Sequence, residues 1–114
     1  MEVKTSLHIK DNHKLLLQHI LKQFIPHVSV WAYGSRVKGT HHEGSDLDLV
    51  VFTTPDQRTT VSDLREALEE SDIPFIVDLH RWDEIPDTFR EIVRSGYVVI
   101  QEGQEESASS GTTG

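Results

Sequence analysis

Apolar residues recur at helical spacing early in the chain. Leu16, Ile20 and Phe24 stand four residues apart, with Leu17 and Leu21 beside them. That spacing predicts one face of a helix. Asp11 and Asn12 are candidate N-caps ahead of it, and Pro26 ends it. The period then changes. VSVWAY, residues 28–33, alternates and is rich in β-formers, so it predicts a strand. DLDLVVF, residues 46–52, predicts a second strand, and the polar stretch TTPDQRTT after it predicts a loop. Val61, Leu64, Ala67 and Leu68 mark a second helix with Thr60 as N-cap, and SDIP breaks it. FIVDLH, residues 75–80, predicts a third strand. Pro86 suits the first turn of a third helix, with Phe89, Ile92 and Val93 as its apolar face and Gly96 as its stop. YVVI, residues 97–100, closes the pattern as a short strand or an extended segment. Helices and strands alternate, which predicts a mixed α/β or α+β class: a small sheet covered by helices.

After Gln101 the pattern stops. The remainder holds three glutamates and small polar residues but no large apolar group. This predicts one folded domain over residues 1–101 and a disordered polar tail over 102–114. No apolar run reaches the length of about eighteen residues that a membrane span needs. The N-terminal MEVKTSLHIKDNHK lacks the apolar stretch of a signal peptide. With no cysteine there are no disulfides and no thiolate ligands. Together these features favour the cytoplasm. Charge adds one exclusion. Eleven basic and nineteen acidic residues give a net charge of −8, and no basic stripe is visible, which argues against autonomous polynucleotide binding. A small anionic ligand is still compatible, because a metal and a few local donors overcome a negative background.

The candidate chemistry lies in YGSRVKGTHHEGSDLDLV, residues 33–50. Alternation along a strand puts Asp46 and Asp48 on one face, and Leu47, Leu49 and Val51 on the other, toward the core. The two aspartate Cα atoms are then ~6.5–7 Å apart. Such a pattern suits a solvent-facing strand surface. It also suits a metal site, since a divalent cation relieves the repulsion between the carboxylates and oxygen ligands suit Mg²⁺. Gly34 and Ser35 follow the first strand. Glycine permits a tight turn and close backbone approach, and a serine hydroxyl with freed N–H groups can hold phosphate oxygens. Arg36 and Lys38 add local positive charge, or are plain surface residues. Asp78 shares a face with Ile76 and His80, in the middle of an apolar strand. That placement is costly unless the carboxylate is paired or bound to metal; Asp78 also reads as a solvated strand residue or a structural partner of Arg81. If the third strand neighbours the second, the three carboxylates converge. Two metal ions could then clamp an in-line phosphoryl displacement, with Asp78 accepting the proton of the attacking hydroxyl.

Other polar and aromatic residues carry plainer readings. His41 and His42 are adjacent in a loop, which does not favour a zinc site. His13 and His19 read as exposed or boundary residues, and Glu66, Glu69 and Glu70 as a solvated helix face. Trp31 and Trp82 read as core or interface aromatics, with Trp82 close enough to the third strand for contact with a nucleotide or partner.

Gly34-Ser35, a ten-residue spacer and Asp46-Leu47-Asp48, followed by Asp78 on a later strand, resemble the signature of the polymerase-β-type nucleotidyltransferase superfamily. The short length resembles its minimal nucleotidyltransferase branch. VWAYGSRVKGTHHEGSDLDLVVF and FREIVRSGYVVIQ are similar to bacterial members encoded beside a helical HEPN-type partner. The resemblance covers roughly residues 10–101. It implies a polymerase-β-like fold in which Gly34 and Ser35, with Arg36 beside them, hold the triphosphate of ATP or another nucleotide. Asp46 and Asp48 would bind Mg²⁺, two ions in all, with Asp78 joining on one of them. A nucleoside monophosphate, AMP from ATP, would pass to a hydroxyl of a partner protein or small molecule as pyrophosphate leaves. In related pairs the partner is a substrate-binding subunit or a ribonuclease toxin, and the nucleotidyltransferase is then the antitoxin that adds AMP to it. Larger relatives use a second domain to hold base and acceptor. Its absence here implies a partner or a self-dimer. The alternative is a non-catalytic, nucleotide-responsive subunit that acts by contact with a helical partner. Three converging acids argue against so passive a role.

Overall fold

The computed structural model describes residues 7–38 and 46–103. His41, His42 and most of the expected tail lie outside the described residues. Four helices and four strands follow one another: α1 (Asp11–Phe24), β1 (Val30–Tyr33), the single-turn α2 (Ser35–Lys38), β2 (Leu47–Val51), α3 (Arg58–Glu69), β3 (Val77–Arg81), α4 (Asp87–Arg94) and β4 (Tyr97–Gln101). The strands form one sheet in the order β3-β2-β1-β4. β1 runs antiparallel to β2 and β4, and β2 runs parallel to β3 through the α3 crossover. This is the expected α+β class.

Alternation divides the sheet into two unlike faces. Leu47, Leu49, Val51 and Leu79 point to one side with Val30 and Ala32, where Leu17 and Leu21 of α1 and Val61 and Leu64 of α3 cover them. These residues are almost wholly excluded from water, and each buried leucine or valine among them stabilises the fold by roughly 1.5–3 kcal/mol. Leu49 is fully buried on the central strand β2. Leu49→Ala is expected to cost about 2–5 kcal/mol in a urea melt, since it leaves a cavity the sheet cannot close. On the other face, α4 lays Phe89 and Val93 against Tyr33, Val50, Trp31, Phe52, Trp82 and Tyr97. Trp31 stacks on Tyr97 at 3.9 Å between centroids, and Trp82 lies 4.8 Å from Phe52. Both tryptophans are therefore packed against this layer while staying partly exposed. The described residues include no helix long and apolar enough to cross a membrane.

Several boundaries differ from the sequence expectation, for local reasons. Helix α3 begins at Arg58, so Thr60 sits inside its first turn and does not cap it. The residues read as a loop form a 3₁₀ turn, Pro55–Gln57, capped by Thr54. The Thr54 N–H donates to Gln57 Oε1 at 3.0 Å, and Pro55 occupies the first position, where its missing N–H costs nothing. Asp11 lies in the first turn of α1, near the positive end of the helix dipole, and Lys10 holds the cap position. Pro86 likewise stands at the cap of α4, one residue ahead of its first turn. At the end of the sheet, the Gln101 side-chain amide donates to the carbonyls of Ile25 and Val28 at 2.6 and 2.8 Å. The Gly103 N–H donates to Ser29 Oγ at 2.9 Å.

Candidate active site

The strand register assembles the site. Tyr33 on β1 pairs with Asp48 on β2, and Asp48 pairs with Asp78 on β3. Three side chains thus stand in one row across the sheet, on the face away from the α1–α3 core. His80 lies two residues along from Asp78 and points the same way. Donor atoms of Asp48, Asp78 and His80 all lie within 4.8 Å of one another. The His80 Nε2 is 3.3 Å from Asp78 Oδ2.

Charge in this row is held at a cost. Burial raises the Asp48 carboxyl above the usual aspartate range, and the neighbouring Asp78 and Asp46 raise it further against an opposing effect of His80. Burial, then Asp48 and Asp78, push the Tyr33 hydroxyl well above its ordinary value, so it stays protonated. A divalent cation between the carboxylates would relieve the first of these costs. The donor set of two carboxylates and an imidazole is one that divalent ions take. The residues present therefore fit a metal. The sign of the Asp48 shift gives a test. A folded state that holds the proton more tightly than the unfolded chain is favoured at low pH, and that advantage is lost as pH rises through the raised value. With metal chelated, the contribution of Asp48 to the melting temperature is expected to fall as pH rises above about 4, the ordinary aspartate value, and through the raised one. Asp48→Asn should flatten that fall in a thermal melt.

Gly34 explains how the turn after β1 reaches the carboxylates. Its φ is +89°, and a Cβ placed there would lie 2.5 Å from Asp48 Oδ2. Only glycine accepts both conditions without strain. Its carbonyl accepts the Val37 N–H at 3.0 Å, which closes the α2 turn that begins at Ser35. The Gly34-Ser35 turn and the Asp48 carboxylate are thus in direct contact.

The remaining expected residues are placed differently. Asp46 precedes the first ladder pair of β2, Leu47 with Val77, and is exposed. It stands outside the tight donor cluster, although its charge is felt at Asp48. Of the three expected aspartates, Asp48 and Asp78 come together with His80, and Asp46 stands immediately before the strand that carries Asp48, beside them. Beside Asp46 a cavity of about 580 Å³ opens between α3 and the start of β3, lined by Leu68, Glu69, Phe75 and Ile76 among others. Arg36 is buried. Its Nη1 donates to the His8 carbonyl at 3.1 Å, the His8 N–H donates back to the Arg36 carbonyl at 2.8 Å, and the guanidinium lies 4.4 Å over the Phe75 ring. Arg81 pairs with Asp83 at 2.8 Å and Glu84 at 3.4 Å, while Asp78 faces His80. The Arg81 alternative for Asp78 is therefore not realised, while the half-exposed Asp78 side chain is as open to solvent as a solvated strand residue would be. His80 is the residue that sequence reasoning passed over. Its signal was the two-residue spacing from Asp78 on one strand face.

A glycine turn pressed on paired carboxylates of a small mixed sheet is an arrangement that fits a nucleotidyltransferase. The chain belongs to the family described as Polymerase beta, Nucleotidyltransferase, which matches residues 8–105, and it is an enzyme of that class. Among individual proteins it is similar to the probable protein adenylyltransferase MntA of Haemophilus influenzae, at 44% identity over 100 residues, covering 87% of this chain and 88% of that protein. Two solved structures share the fold. One is a toxin–antitoxin with AMP-PNP, with a TM-score of 0.57 at 21% identity, covering 85% of this chain and 77% of that one. The other is a tri-AMPylated Shewanella oneidensis HEPN toxin in complex with an MNT antitoxin, with a TM-score of 0.52 at 14% identity over 88% and 78%.

Proposed function

We propose that this protein transfers AMP from ATP to a hydroxyl of a helical HEPN-type partner protein, and that it serves as the antitoxin of such a pair. One observation carries the reading: the register that sets Asp48 beside Asp78, with Gly34 against the Asp48 carboxylate. The Haemophilus relative, named as a probable protein adenylyltransferase, supports it. So do the fold neighbours, one with AMP-PNP and one with an AMPylated toxin.

In this reading Asp46, Asp48 and Asp78 hold Mg²⁺, two ions when both are bound, which would neutralise charge on the phosphates and the leaving pyrophosphate. The Gly34-Ser35 turn receives the triphosphate beside Asp48. Arg36, anchored on His8 and Phe75, braces that turn from behind. The acceptor oxygen attacks the α-phosphorus. A new P–O bond forms, the bond to the bridging β-phosphate oxygen breaks, and pyrophosphate leaves. Asp78 is half exposed and takes the hydroxyl proton. The buried, protonated Tyr33 walls the row on the β1 side and keeps water away from Asp48. Base and acceptor are held by the partner, or by a second copy of the chain.

Incubating the protein with the helical partner encoded beside it, ATP and Mg²⁺ tests the proposal by intact-mass spectrometry. The partner should gain the mass of AMP. A stable complex without that gain would instead indicate a subunit that works by contact alone.

A further inference from the structure

The metal centre proposed above rests on carboxylates, yet the side chain nearest Asp78 is an imidazole. His80 Nε2 lies 3.3 Å from Asp78 Oδ2, long for a hydrogen bond to a carboxylate. Its ring is steadied by Phe89 at 5.7 Å and Tyr33 at 6.4 Å. Those contacts aim the nitrogen at the space shared by Asp48 and Asp78, where donor atoms of all three residues fall within 4.8 Å. The side chain keeps 34% exposure, so the nitrogen is reachable from solvent.

We propose that His80 Nε2 is a direct ligand of the cation held by Asp48 and Asp78, and that it biases the site toward Mn²⁺ over Mg²⁺. Mg²⁺ demands oxygen donors in a near-ideal octahedron and dehydrates reluctantly. Mn²⁺ takes carboxylates as readily and, as a softer transition ion with a less tightly held water shell, accepts one imidazole nitrogen beside them more readily than Mg²⁺ does. In a row of aspartates alone the two ions would compete on nearly equal terms. One nitrogen donor at this position separates them. The inference rests on the metal centre of the proposed function, and the two can fail separately.

Pulsed EPR on the protein loaded with Mn²⁺ decides between them. Wild-type protein should show electron spin-echo modulation from a directly bound histidine nitrogen, altered when the histidines carry ¹⁵N. His80→Gln, which keeps a polar side chain on the edge strand β3, should abolish that modulation. It should also weaken Mn²⁺ binding by more than the roughly 10–100-fold that losing an outer-shell partner costs, while Mg²⁺ binding in a calorimetric titration changes far less. Mn²⁺ bound without nitrogen modulation in the wild type would overturn the role of His80 and leave the carboxylate site standing. Modulation that persists in His80→Gln would assign the ligand to another histidine and overturn it equally. Equal losses for Mn²⁺ and Mg²⁺ would reduce His80 to a positioning partner of Asp78. No Mn²⁺ binding at all in the wild type would sink the metal centre itself. Should His80→Gln fail to fold, as circular dichroism would show, the labelled wild-type spectrum still decides whether a histidine is bound.

Discussion

Asp48→Asn is expected to reduce Mg²⁺-dependent adenylyl transfer on the order of 10³-fold or more, a loss of about 4 kcal/mol of transition-state stabilisation. Asp48 is the centre of the row. It pairs with Tyr33 on one side and Asp78 on the other, and it touches the Gly34 turn. The substitution preserves shape and removes charge. Because burial and Asp78 already raise the Asp48 carboxyl, the folded protein should gain stability at neutral pH as it loses activity. That opposition separates a functional charge from a structural one. A steady-state assay beside a chelated thermal melt measures both. An active Asp48→Asn variant would show that the site is wrongly assigned. Asp46→Asn, farther out and exposed, should weaken metal binding with little effect on the melt.

Gly34→Ala is expected to be nearly as damaging to activity, by another route. A Cβ at φ +89° is strained, by roughly 1–3 kcal/mol, and it would meet Asp48 Oδ2 at 2.5 Å. Either the turn withdraws or the carboxylate swings away, and both separate the phosphate turn from the metal side chains. A shift of about 1 Å in such a site costs on the order of 10²-fold. The part due to the carboxylate can be isolated. In an Asp48→Ala background the stability cost of Gly34→Ala should shrink to the strain alone. A double-mutant cycle in urea would read that difference as a coupling energy. Purely additive costs would mean that the close contact between Gly34 and Asp48 has no energetic weight.

The fold class was legible because periods of two and of about four residues alternate clearly along the chain. Asp46-Leu47-Asp48 with Gly34-Ser35 ten residues ahead was legible because both pieces are local. What makes them a site is not local. Asp48 meets Asp78 only because β2 and β3 run parallel in a register set by the α3 crossover, which no residue announces. Arg36 beside the turn reads equally as a phosphate contact or a plain surface charge. Its guanidinium instead reaches a carbonyl at His8, twenty-eight positions earlier, and a sequence does not display such pairings. His80 was placed on the correct face, but its reach toward Asp78 depends on a ring orientation set by Phe89 from α4. Thr60 reads as a cap because it precedes an apolar face. Thr54 with Pro55 and Gln57 offered a complete box just upstream, and the helix grew back to meet it.

The central claim is that the bond broken lies between the α- and β-phosphates of ATP and that the partner keeps the α side. Parallel reactions with ATP labelled at the α- or the γ-phosphate test it directly, in the presence of the helical partner and a divalent metal. The account predicts α label on the partner, γ label in pyrophosphate, and neither with Asp48→Asn. Label from the γ-phosphate on the partner, or α label that survives in Asp48→Asn, would contradict it.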